Sequence, residues 1–278
     1  MKNAPLLSAV VIPVFISVAW LSGRPGVSLP APVGLQQGAQ STVAEQSSHA
    51  KAAVCTISRG PNALWQLAQC CSRSLAGNSD CREYDAKDEY IILKDNAPTK
   101  PEAYLIIPTK RVSGIEDPQI FRQPFLDFWQ DAWQVSHKYP GQPASRTALA
   151  INSVHGRTQN QLHIHISCIK PEVSKTLASR DHEIGMDGAQ PITLELPPHG
   201  NPYRVVKVTG LTGKNSPWEV IQSMPGVKRH MAEQSIAVVR SLKAGEYYVL
   251  DTYSHGTDWG AAEELLDETC KPTELAQR

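Results

Sequence analysis

The chain has no surplus of charge, with 27 Lys and Arg against 27 Asp and Glu over 278 residues. A protein whose binding rests on a field of one sign is thereby excluded, and nucleic acid is not expected as a partner, local patches aside. The six cysteines contain no paired C-x-x-C knuckles, and the nine histidines no H-x-x-x-H pair. Those spacings bring zinc ligands together, so neither a resident metal nor another cofactor is expected. Gly210-Leu211-Thr212-Gly213-Lys214-Asn215 misses the G-x-x-x-x-G-K-[ST] spacing of a phosphate loop. Internal repeats and a regular β-α-β alternation are missing too, which argues against doubly wound parallel sheets.

The first residues do hold an uncharged run. Between Lys2 and Arg24 lie Val10, Val11, Ile12, Phe15, Ile16, Val18, Trp20 and Leu21. About twenty apolar residues suffice to cross a bilayer. Residues 1–23 are therefore expected to form a transmembrane signal anchor; the alternative is a cleaved signal peptide, against which no convincing small-x-small site follows the run. Lys2 favours a cytoplasmic N-terminus, which puts the body of the chain on the other side. Residues 24–51, rich in Pro, Gly, Gln, Ser and Ala, read as a flexible linker, and residues 52–278 as the folded domain. An even number of cysteines in an exported chain reads as a disulfide framework. Six allow fifteen pairings. The pairing expected is Cys168 with Cys270, with Cys55, Cys70, Cys71 and Cys81 closing among themselves.

Apolar periodicity sets the elements. A helix is expected over 62–76 and another around Phe125, Phe128, Trp129, Ala132 and Trp133, which recur at i, i+3, i+4, i+7 and i+8. Strands are expected at Tyr90–Leu93, Tyr104–Pro108, Thr147–Asn152, Gln161–Ile169, Arg204–Val208, Ile236–Val239 and Tyr247–Leu250. Helices are expected after Pro171 and over Ala261–Leu266. This mixture predicts an α+β fold with a largely antiparallel sheet packed with helices.

Gln161-Leu162-His163-Ile164-His165-Ile166-Ser167 alternates polar and apolar residues. On a strand, Gln161, His163 and His165 then share one face, and Leu162, Ile164 and Ile166 point into a core. Two imidazoles side by side make either a metal site or a device for phosphate chemistry. Of the other histidines, His155, His182, His199, His230 and His255 are scattered and read as surface residues.

This stretch resembles the His-φ-His-φ-His-φ-φ motif of the histidine-triad superfamily of nucleotide hydrolases and transferases, φ being apolar. Tyr104 to Lys110, running on to Ile115 and Asp117, resembles the strand-Pro-Lys segment of the same superfamily, and Asn152 the Asn before its histidine strand. Together with Gly156-Arg157-Thr158-Gln159-Asn160, Ser167-Cys168-Ile169-Lys170-Pro171 and the anchor, residues 50–275 resemble the bacterial CDP-diacylglycerol pyrophosphatase family. The resemblance implies a HIT-like fold and hydrolysis of CDP-diacylglycerol to CMP and phosphatidate. It also implies a place at the cell inner membrane, with the catalytic domain periplasmic. Gln161 departs from the motif by standing at the first histidine's place.

A neutral imidazole attacks phosphorus where an anion is repelled, and leaves well afterwards. His163, the middle position, is the expected nucleophile, with His165 binding phosphoryl oxygens or protonating the leaving oxygen. Gln161 is expected to orient the phosphate or bind the ribose, Asn152 and Gln159 to bind substrate, and Arg157 and Lys110 to offset its charge. A shifted register would make His165 the nucleophile and Ser167 the third member; Gln161 is the milder departure. Two other readings are a hydrolase or nucleotidyltransferase for another nucleotide-linked diphosphate, and a non-catalytic nucleotide- or lipid-binding protein.

Overall fold

A computed structural model describes residues 55–188, 190–254 and 260–271. The expected anchor and linker, and His255, lie outside the described residues. Among those described, no helix is long and apolar enough to cross a membrane.

Ten strands form one sheet: β1 (Cys81–Asp85), β2 (Tyr90–Lys94), β3 (Tyr104–Pro108), β4 (Thr147–Ile151), β5 (Ile164–Ile169), β6 (Ile192–Leu196), β7 (Asn201–Val208), β8 (Gln234–Arg240), β9 (Tyr247–Tyr253) and β10 (Leu266–Asp267). Their order is β1-β2-β3-β5-β4-β8-β9-β7-β6, with β10 also on β5. Every neighbouring pair is antiparallel. Four α-helices cover it: α1 (Ala63–Arg73), α2 (Phe128–Ser136), α3 (Pro171–Ser179) and α4 (Pro217–Ser223). The expected α+β class and antiparallel sheet are those observed.

Both faces of the sheet are buried, and period two sorts the residues between them. One face presents Ile92, Ile106, Leu149, Ile164, Ile166, Ile236, Val238 and Val249 to the apolar sides of α2 and α4. There the rings of Trp129 and Trp218 pack at 5.0 Å, tilted by 54°, and Trp133 meets Tyr247 edge-on at 4.9 Å. The other face carries two separate clusters. Ile91, Leu93, Leu105 and Ile107 pack under Leu64, Ala68 and Cys71 of α1. Ala148, Ala150, Ala237, Val239 and Leu250 pack under Val173 and Leu177 of α3 and under Ala262 and Leu265. β5 lies between these clusters, paired with β3 on one side and β4 on the other. The histidine-bearing face of this strand therefore falls between the two helical covers.

Three local expectations are corrected. β5 begins at Ile164, so Gln161, Leu162 and His163 precede the ladder. Their backbone is held instead by Val112, whose carbonyl accepts from the Leu162 N–H at 2.7 Å. The closing helix is a single 3-10 turn, Ala262–Leu265, ended by the strand pairing of Leu266 with Ile169. β1, β6, β10 and α4 also join the expected elements.

The disulfides are Cys55–Cys70, Cys71–Cys81 and Cys168–Cys270, which agrees with the long-range pair and the local closures expected. Cys168–Cys270 clamps the segment 260–271 onto β5 across a separation of 102 residues. Opening it by Cys270→Ser is expected to cost about 2–5 kcal/mol, the range for losing a long-loop disulfide. Denaturant unfolding of the oxidised protein and the variant measures that difference.

Candidate active site

The alternation of the histidine strand has the expected result. Leu162, Ile164 and Ile166 are fully buried beneath α2, and the two imidazoles stand together, ring centroids 5.0 Å apart at 62°. Nδ1 of His163 lies 2.7 Å from the carbonyl oxygen of Gln161. A carbonyl has no proton to give, so Nδ1 donates and the lone pair of the neutral ring sits on Nε2. Burial pushes the His163 pKa down to about 3, and the neighbouring His165 adds to that effect. His163 is thus neutral across the physiological range, with one nitrogen fixed and the other nucleophilic.

His165 is nearly as enclosed. Burial lowers its pKa too, while Glu263 works in the opposite direction. Its Nδ1 is 3.5 Å from Oε1 of Glu263, and its Nε2 is buried without a hydrogen-bond partner. Glu263 sits on the 3-10 turn before β10. It exchanges two hydrogen bonds with Asn152: Asn152 Nδ2 donates to Oε2 at 3.0 Å, and the Glu263 backbone N–H donates to Asn152 Oδ1 at 3.1 Å. Lys100, from the β2–β3 loop, donates to Glu263 and lies 2.8 Å from Glu268. Burial alone would raise the Glu263 pKa, but His165 and Lys100 beside it hold the carboxyl low. Glu268 goes the other way, pushed up to about 7 by burial and by Glu263. Glu263, Lys100 and Glu268 were not singled out in the sequence. β10 and the disulfide bring Glu263 and Glu268 to the histidines, and the β2–β3 loop brings Lys100.

Asn152 therefore lies at the site, but its amide is engaged with Glu263. Gln161 is also at the site and fully buried. Its Nε2 donates to the carbonyls of Pro108 and Lys110 at 3.0 and 2.9 Å, and its Oε1 has no partner. It is consequently left with an acceptor only, which fits a hydroxyl and not an anionic phosphoryl oxygen.

The other three expected substrate-binding residues are engaged elsewhere. Gln159 Oε1 accepts from the Leu64 N–H at 2.9 Å, and its Nε2 donates to the Gly60 carbonyl, so it ties the loop to the start of α1. Arg157 makes a two-pronged pair with Glu116, both contacts 2.6 Å, its side chain 5% exposed. Its charge is already neutralised. Lys110 pairs with Glu89 and borders a small cavity with Phe125, Phe128 and Asp131, beside α2. Their residue types suit an anion, but the fold uses Gln159 and Arg157 to hold the loop that delivers the histidines. Among the described residues no group of three or more His, Cys, Asp or Glu side chains is disposed to hold a metal ion. His155, His182, His199 and His230 are exposed and apart.

The family model of CDP-diacylglycerol pyrophosphatase matches residues 59–274. The chain belongs to that family. A curated CDP-diacylglycerol pyrophosphatase from Yersinia pestis is 35% identical over 222 residues, spanning 76% of this chain and 84% of its own. Among solved structures, a yeast Ap4A phosphorylase shares 13% identity at a TM-score of 0.40, over 62% of this chain and 58% of that one. A DUF4931 family protein from Bacillus cereus shares 12% at 0.39, over 62% and 85%. Likenesses that loose say nothing about chemistry. The pyrophosphatase match spans both histidines, Glu263 and the Cys168–Cys270 clamp.

Two outcomes follow from these contacts. Below pH 6.5 an unfolded chain protonates the His163 imidazole, but the folded one does not until about pH 3. The unfolded state then binds more protons, so stability falls as pH drops through that window. Urea midpoints measured from pH 7 to 4 should decline less steeply in His163→Asn than in the parent. Separately, a Cβ on Gly114 would lie 2.0 Å from Nη1 of Arg157. Gly114→Ala is expected to dislodge the Arg157–Glu116 pair and cost about 3 kcal/mol, as breaking a buried ion pair does. Thermal unfolding reads that loss.

Proposed function

We propose that the chain hydrolyses CDP-diacylglycerol to CMP and phosphatidate through a covalent intermediate on His163. Membership of the pyrophosphatase family supports the reaction. The contact from His163 Nδ1 to the Gln161 carbonyl carries the mechanism, because it leaves Nε2 as the one free nucleophilic atom of a neutral ring. Nε2 attacks the cytidylyl phosphorus, a P–N bond forms, and the P–O bond to phosphatidate breaks with the electron pair on the leaving oxygen. Water then displaces His163 and releases CMP. His165, adjacent and buried, meets the phosphoryl oxygens. Gln161 Oε1 accepts from a ribose hydroxyl. A HIT-like arrangement of the antiparallel sheet is the fold reading that goes with this chemistry.

The lipid half of the substrate suits a domain held at a bilayer. An anchor over 1–23, a linker over 24–51 and a periplasmic domain at the inner membrane complete the proposal.

The test is CMP release from CDP-diacylglycerol by the full chain. His163→Ala should nearly abolish it, and His165→Ala should lower kcat by about 10²–10³-fold. A folded protein that binds the lipid nucleotide without releasing CMP would mark a binding role instead. Turnover of other nucleotide-linked diphosphates in preference would move the substrate assignment.

A further inference from the structure

His165 is framed asymmetrically. On its Nδ1 side stands a carboxylate that is itself fixed from three directions: by Asn152 twice and by Lys100. On its Nε2 side there is no protein partner, although the atom is buried. At 3.5 Å the Glu263 contact is too long for a hydrogen bond, yet close enough to decide which nitrogen holds the proton. A lone pair facing a carboxylate is repelled, so the neutral ring keeps Nδ1–H toward Glu263 and an unprotonated Nε2. That Nε2 cannot donate to a phosphoryl oxygen until it gains a proton.

Resting on the reading of His163 as nucleophile, we propose that Glu263 is a positioning residue for His165: it holds the ring so that His165 takes a proton on Nε2 as the diphosphate enters, and with it donates a hydrogen bond to a phosphoryl oxygen. The proton comes from solvent and returns there when products leave. The ring is then an imidazolium between two anions, Glu263 and the phosphoryl group. Before substrate arrives only one of those anions is present, and burial and the Lys100 charge keep the ring neutral. The other titratable groups near it are the neutral His163 ahead of β5, Asp95 beside Lys100 on the β2–β3 loop, and Glu268 on the clamped segment. The flanking positions on β3 and β4 are Leu105 and Ala150, which do not titrate. Of these groups Glu268, near 7, could also gain a proton beside an arriving anion.

The experiment is calorimetric titration with α,β-methylene CDP at pH 7.5 in two buffers of different ionisation enthalpy, which counts protons taken up on binding. The full chain should take up about one proton. His165→Asn and Glu263→Gln should lose that uptake, whereas His163→Asn and Glu268→Gln should keep it. Glu263→Gln should also lower kcat by about 10²-fold with little change in KM. Unchanged uptake in Glu263→Gln, or uptake lost in Glu268→Gln instead, overturns the proposal. Should Glu263→Gln not fold, Glu263→Asp, charged but one methylene shorter, takes its place. Reduced uptake with reduced turnover there supports the role, and unchanged values for both defeat it. Turnover that survives His163→Ala defeats the nucleophile and this role together. Turnover that needs His163, with proton uptake indifferent to Glu263, defeats this role alone.

Discussion

Everything at the site depends on the parity of one extended segment, β5 and the three residues that lead into it. Leu162, Ile164 and Ile166 are each fully buried under α2, and each contributes on the order of 1.5–3 kcal/mol through that burial. A slip of one residue would reverse every side chain, placing two imidazoles in the core and three aliphatic groups outside. The same apolar packing that stabilises the sheet thus fixes which way His163 and His165 face. Chemistry and folding share a register.

The electrostatics of the site follow from enclosure. Charges inside are paired or networked: Arg157 with Glu116, and Lys100 with Glu263 and Glu268. Removing one member of such a pair leaves the other buried and unpaired, which costs more than the pair itself contributes. The His163 ring is the exception, held uncharged by burial. A neutral nitrogen beside compensated charges suits an incoming diphosphate, because the phosphorus meets no anion on its line of approach.

Much of this was legible in the residues. β3 spans Tyr104–Pro108 as its apolar run implies, and the five apolar positions around Phe125–Trp133 identify the buried side of α2. Alternation identified the histidine face because period two is a property of the strand alone. Even the missed β6 carries such a signal in Ile192-Thr193-Leu194-Glu195-Leu196. β1 carries less, since its charged residues belong to an edge strand. Glu263 had no local signature. It meets Asn152 across 111 positions and Lys100 across 163, and no pattern within a strand or helix spans that distance. Arg157, Gln159 and Lys110 show the converse limit: residue type suggests what a side chain can bind, but the partners they have in the fold (Glu116, the Leu64 N–H and Glu89) lie far along the chain.

The clamped segment also imposes an order in time. Synthesis runs from the N-terminus, so Lys100 emerges first, then His163 and His165, and only after them the segment that brings Glu263 and Cys270. Until residues 260–271 dock on β5, Asn152 and Lys100 lack their carboxylate and Cys168 lacks its partner. A nascent chain therefore holds the two histidines without the group that frames them. Its site is completed last, by covalent closure, once nearly the whole domain is available to fold.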